Sequence, residues 1–160
     1  MAMPESPRPE IKIEPIGPDD EAAWCPLWDQ YCAFYQVRVD PGVTTTLWAR
    51  LQDPNSAVKA LVARDAAGRI LGFCHYVLHP NTWGTGLICY LEDLFTDPAS
   101  RGQGVGRALI ERLVALGREH GWGRVYWHTQ ETNATARRLY DSVAQGADGF
   151  VRYVIPIQHQ

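Results

Sequence analysis

The stretch from Leu87 to His120 joins an apolar strand, a glycine loop and an amphipathic helix, and it constrains the fold more than any other part of the chain. Its centre reads DPASRGQGVGRALIERLV, Asp97 to Val114, with glycines at 102, 104 and 106. Val105, Leu109, Leu113 and Leu116 then recur at helical spacing until Gly121, which predicts a helix from about Gly104 to His120. A loop that gives up side chains lets another molecule approach its backbone. The unpaired N–H groups and dipole of the helix start favour an anion there, so the expected ligand carries phosphates. A Walker A loop would need Lys-Ser or Lys-Thr after its last glycine, and Arg107-Ala108 stands there. A dinucleotide fingerprint needs G-x-G-x-x-G directly after its strand, and this loop has G-x-G-x-G set off by five residues. Glu131 is the acid that could serve that reading. The loop taken alone is also compatible with a glycine-rich turn that binds nothing.

The remaining pattern is α/β. Glu10 to Ile16 reads as a strand, and the acidic start Asp19-Asp20-Glu21 opens an aromatic helix to about Gln36. Thr44 to Leu51 predicts a second, shorter helix. Ala57–Arg64 and Arg69–Leu78 read as a hairpin about Asp65-Ala66-Ala67-Gly68. Leu87 to Thr96 is a strand whose only acids are Glu92 and Asp93. Arg124 to Gln130 is another strand, and Asn133 caps a helix to about Ala144 with Ala136, Leu139, Tyr140 and Val143 on one stripe. Phe150 to Ile155 is read as a last strand. Residues 1–9 read as a short disordered lead without the apolar stretch of a signal peptide, and residues 10–160 as one domain.

Composition narrows the classes. No apolar run is long enough to span a membrane, and a net charge of −3 argues against general nucleic-acid binding. The charge is uneven: residues 97–140 hold four acids and seven arginines, a local positive field around the loop that suits a polyanion. Cys25, Cys32, Cys74 and Cys89 show no CxxC pairing and lie in apolar segments, which suits buried thiols in a reducing cytoplasm. The five histidines, His75, His79, His120, His128 and His159, have no zinc-type spacing with them, so no metal is expected.

Arg101-x-x-Gly104-x-Gly106 resembles the R/Q-x-x-G-x-G/A signature of the GCN5-related N-acetyltransferase (GNAT) family, and HTQETNATARRLY matches the family's later N-x-x-A-x-x-L-Y pattern. The resemblance covers roughly residues 87 to 154. YLEDLF, N-ATARRLYDSV and GFVRYVI look closest to the branch of polyamine and fungal histone and D-amino-acid acetyltransferases. It implies the GNAT fold, a single mixed central sheet of about six or seven strands flanked by about four helices. It also implies acetyl-CoA as co-substrate and a primary amine, such as a polyamine or amino acid, as acceptor. Relatives often pair as homodimers through C-terminal strands, for which Phe150 to Ile157 could serve.

The resemblance also implies roles. The backbone of Gly102, Gln103, Gly104, Val105, Gly106 and Arg107 would hold the pyrophosphate, with charge from Arg101 and Arg107. Leu94, Phe95 and Thr96 would pair with the pantetheine arm, and an N–H near Leu94 would polarise the acetyl carbonyl. Asn133 and Arg137 would add contacts to the cofactor, Asn133 also being a plausible helix cap. Glu92 is the expected base through water, with Asp93 the alternative, and Tyr140 the expected acid for the departing thiolate. Successive strand residues face opposite ways, so one of the acidic pair points into the site unless a bulge intervenes. Trp28, Tyr31 and Tyr35, with Glu92, would bind the acceptor by cation–π attraction and charge, although such a stripe also suits a core. The rival readings are a protein-lysine acetyltransferase and a non-catalytic acyl-CoA sensor.

Overall fold

A computed structural model describes residues 9–157. All but the last residue of the expected lead, and His159, lie outside the described residues. Two compact units make up the chain, one up to His128 and one from Thr129, and each is taken by itself.

The first unit is built on a mixed five-stranded sheet in the order β1-β2-β3-β4-β5. The strands are β1 (Lys12–Pro15), β2 (Val58–Arg64), β3 (Ile70–Pro80), β4 (Leu87–Thr96) and β5 (Val125–Tyr126). β1 to β4 run antiparallel to their neighbours, and β4 and β5 are parallel. The expected hairpin forms: Asp65 accepts from the backbone of Ala67 and Arg69, and Gly68 takes a φ of +84°.

Helices α1 (Glu21–Phe34) and α2 (Pro41–Gln52) cover one face. Trp24, Leu27, Trp28 and Cys32 of α1 pack with Ala60, Val62, Phe73 and Phe95 of the sheet. Leu47, Trp48 and Leu51 of α2 close over them. Helix α3 (Val105–His120) buries Val105, Leu109, Ile110 and Leu113. Register places Leu61, Gly72 and Cys74 on the face opposite Val62 and Phe73, and it is Gly72 that meets Val105. All four cysteines are free, and burial pushes the Cys89 thiol up to about 12, so it behaves as a packing group. Among the described residues no helix is long and apolar enough to cross a membrane.

The second unit holds α4 (Ala134–Ala144). Asn133 caps it by accepting from Ala136 N, and Ala136, Leu139, Tyr140 and Val143 form its half-buried stripe.

Three expectations need correction. The second helix begins at Pro41, not Thr44, because Asp40 caps it from Gly42 N and proline suits a first turn. The strand expected over 124–130 shrinks to two residues. The strand expected at Phe150–Ile155 does not form. Gln145, Gly146 and Gly149 all take positive φ, ending α4 and turning the chain, and residues 151–157 join no ladder among the described residues. Among the described residues the sheet therefore has five strands rather than six or seven.

Gly72 was not singled out in the sequence, yet a Cβ there would stand 2.6 Å from the Phe95 carbonyl and 2.9 Å from Val105. Gly72→Ala should destabilise the protein by about 1–3 kcal/mol in urea titration, the cost of forcing β3, β4 and α3 apart.

Candidate active site

β4 carries the site. Its ladder with β3 pairs Phe73 with Phe95, Cys74 with Leu94 and His75 with Asp93, then steps to Tyr76 with Leu91. The register thus skips Glu92, the extra residue of a bulge. A bulge bends its strand and sharpens the local twist. The parallel ladder to β5 ends next to it, at Tyr90 with Tyr126. From Leu91 to Thr96, β4 therefore has β3 on one side and, among the described residues, no strand on the other. Leu94, Phe95 and Thr96 lie on this open edge, able to pair with an extended ligand.

The acidic pair divides at the bulge. Glu92 is exposed. Asp93 turns towards α1, and its side chain is 14% exposed. Its Oδ2 lies 2.8 Å from His75 Nδ1, and His75 is 1% exposed. The tautomer follows from the other ring nitrogen. Trp24 Nε1–H, which can only donate, points at His75 Nε2 at 3.0 Å. His75 accepts there, carries its proton on Nδ1 and donates it to Asp93. The Tyr31 hydroxyl also bonds to Asp93. Burial first, then the charge of Asp93 and this hydrogen bond, push the Tyr31 hydroxyl far above the usual tyrosine range, so it stays a donor.

The aromatic stripe is largely core. Trp28 is 8% exposed, stacks on Trp24 and Tyr31, and donates its indole N–H to Thr44. Tyr31 sits edge-on to Phe73 and Phe95, and Tyr35 packs on Tyr31 at the rim. Sequence reasoning missed a second ring cluster where β4 meets β5. There His79 Nε2 lies 2.8 Å from the Tyr126 hydroxyl, and the Tyr90 hydroxyl lies 3.1 Å from His128 Nδ1. Only Tyr126 and His128 are neighbours in sequence; His79 and Tyr90 reach them through the pairing of β3, β4 and β5.

The glycine loop leaves the other end of β4. Asp97 starts it: its backbone N–H donates to Leu71 O, and its carboxylate accepts from Ala99 N and from Arg69. Gly102 and Gly104 have φ of +79° and +85°, and an added Cβ at either would meet nothing within 4 Å. Space lies beside both, and backbone geometry alone demands glycine. The first amide bond of α3 runs from Ala108 N to Gly104 O, so the amides before it point out of the helix start, with Gly104 at the cap and Val105 and Gly106 in the first turn. This cradle fits a pyrophosphate. Arg101 lies over the Phe95 ring at 5.8 Å, which aligns the guanidinium with the end of β4. Arg107 lies in the first turn of α3, half-buried.

The structure thus brings the loop, the β4 edge, the acidic pair and the aromatic stripe together in the first unit. Asn133, Arg137 and Tyr140 belong to the second. There Arg137 donates to the Glu131 carbonyl, bracing the turn before α4.

Residues 24–144 match the family described as the acetyltransferase (GNAT) family. The chain is 37% identical to a D-amino-acid N-acetyltransferase of Saccharomyces cerevisiae, the match covering 86% of each. It is 33% identical to a thialysine N-epsilon-acetyltransferase of Caenorhabditis elegans, over 83% of this chain and 81% of the relative. A crystal structure of a probable acetyltransferase superposes with a TM-score of 0.82 at 22% identity, covering 93% of this chain and 99% of that one.

The Ala99 N–H first, then the Arg69 guanidinium, hold the Asp97 carboxyl below its usual range. A lowered folded pKa adds stability above the unfolded value, about 3.9, and this is lost as pH falls below it. Asp97→Ala should cost about 1 kcal/mol at pH 7. Urea titrations should show that gap narrowing at pH 3.

Proposed function

Because the chain belongs to the acetyltransferase (GNAT) family, we propose that it moves an acetyl group from acetyl-CoA to the primary amine of a small molecule such as an amino acid or polyamine. The observation that carries this reading is the pairing of an open β4 edge with an outward-facing glycine cradle at the end of the same strand. The relatives' named substrates, a D-amino acid and thialysine, favour a small amine over a protein lysine. The family match includes residues of both units, which supports one catalytic domain over residues 10–160.

Acetyl-CoA supplies an activated thioester. The amides from Gly102 to Arg107 hold its pyrophosphate, with Arg101 and Arg107 adding charge. Leu94, Phe95 and Thr96 offer backbone to the pantetheine arm, an N–H near Leu94 polarises the acetyl carbonyl, and Asn133 and Arg137 add contacts. Both substrates are held at once, and the amine attacks directly. Glu92, exposed on the bulge, takes the proton the amine sheds, through water. Tyr140 gives its phenolic proton to the departing thiolate. The new C–N bond forms as the C–S bond breaks, and the two protons balance. Trp28 contributes to the acceptor wall through the packing that places Tyr31 and Tyr35 at its rim.

The four free cysteines suit a reducing cytoplasm. The apolar residues Phe150, Val151, Tyr153, Ile155 and Ile157 are each more than 70% exposed, which supports a homodimer built on this run. Light scattering should give about twice the 18.0 kDa chain mass.

Coenzyme A release across a panel of L- and D-amino acids, polyamines, aminoglycosides and a lysine-rich peptide tests the reaction. Release above the no-amine blank with one small-amine class is expected, and release with the peptide alone would overturn the small-molecule reading. Tyr140→Phe should lower kcat by about 100-fold while acetyl-CoA still binds in calorimetry. Gly104→Ala should instead raise the KM for acetyl-CoA, by about tenfold for a strain of about 1–2 kcal/mol at positive φ.

A further inference from the structure

The most deeply buried polar side chain of the first unit, His75, has no part in the reaction just described. It sits in an apolar shell: Phe73 at 4.7 Å, Trp28 at 5.2 Å and Trp24 at 5.8 Å between ring centroids. A buried imidazole there costs free energy unless both nitrogens are satisfied. Both are, by Trp24 from α1 and Asp93 from β4. His75 thus ties the helix to the strand that carries the acidic pair.

Its place in the ladder gives the tie a consequence. His75 and Asp93 are the last matched pair before the bulge, and the next pair is Tyr76 with Leu91. Slipping β4 by one residue to remove the bulge would swap which face each side chain takes. It would turn Asp93 away from His75 and Tyr31 and put Glu92, whose side chain is one methylene longer, where the 2.8 Å bond to His75 is fitted to Asp93. A buried donor that loses its fitted acceptor forfeits up to about 1–3 kcal/mol, a difference that favours the register holding Asp93 against His75 and Tyr31.

We propose that His75 is a positioning residue: by donating Nδ1–H to Asp93 it locks the bulge that turns Glu92 outward at the open edge of β4. Trp24 acts one step further back by fixing the tautomer that can donate. Asp93 is then the anchor of the acidic pair and Glu92 its working member. The inference rests on the acetyl-transfer reading for its effect on turnover, while its effect on the bulge does not.

Two variants separate the two ring nitrogens. In His75→Asn the amide N–H overlays Nδ1 and can still reach Asp93. In His75→Gln the amide oxygen reaches the place of Nε2, serving Trp24 and abandoning Asp93. With acetyl-CoA and the best amine of the panel, His75→Gln is expected to lower kcat by about tenfold or more and to move the KM for acetyl-CoA less than about threefold. His75→Asn should recover most of the lost kcat. A merely structural role would lower both variants together, in step with their folded fraction by circular dichroism. In 15N-labelled protein the backbone amides of Leu91, Glu92 and Asp93 should shift strongly in His75→Gln and little in His75→Asn. Equal behaviour of the two variants, or an unmoved Glu92 amide in folded His75→Gln, would overturn the proposal. Should the histidine variants not fold, Asp93→Asn, which still accepts the His75 proton, should leave the Glu92 amide in place, and Asp93→Ala should move it. An unmoved amide in Asp93→Ala overturns the lock equally. If the wild type acetylates no amine, the acetyl-transfer reading fails, and the amide shifts still decide the lock.

Discussion

The antiparallel ladder between β3 and β4 holds nearly everything else in place. At one end, Gly72 lets the two strands and α3 come together, which sets where the glycine loop departs. In the middle, the bulge at Glu92 divides the acidic pair. At the far end, β5 joins for two residues and stops. The buried hydrogen bond from His75 to Asp93 stands directly beside this irregularity.

The two carboxylates show how surroundings separate groups that are neighbours in sequence. Glu92 meets water. Asp93 accepts from an imidazole and a phenol within an aromatic shell, and no arginine or lysine side chain among the described residues forms an ion pair with it. One carboxylate faces outward, and the other is held by hydrogen bonds within the fold. The loop differs: Gly102 and Gly104 adopt positive φ in open space, and no protein atom packs beside either where a Cβ would stand.

Local patterns were legible where local physics decides. The periodicity of α3, the hairpin at Gly68 and the Asn133 cap all appear where side-chain spacing and turn chemistry placed them. The start of α2 was misplaced because Asp40-Pro41 reads equally as a turn and as a capped helix entry, and the Gly42 N–H decides. The absent strand at Phe150 failed for another reason. An alternating apolar run states a preference for extended backbone, but a strand exists only when a neighbouring edge completes it. Likewise the stripe of Trp28, Tyr31 and Tyr35 announced one helical face without saying whether a core or a ligand would cover it, and tight ring packing against Phe73 and Phe95 supplied most of that cover.

By itself the sequence determined the α/β class, the order of its elements as far as α4, the place of the glycine loop between β4 and α3, and the family. These depend on residues close together in the chain, where backbone sterics and helix periodicity act directly. Only the tertiary structure decided that Glu92 and Asp93 part company, that His75 and Trp24 stand behind Asp93, and that Gly72 must lack a side chain. Each of these depends on register between segments far apart in sequence, and register follows from the face each strand buries and from turn geometry.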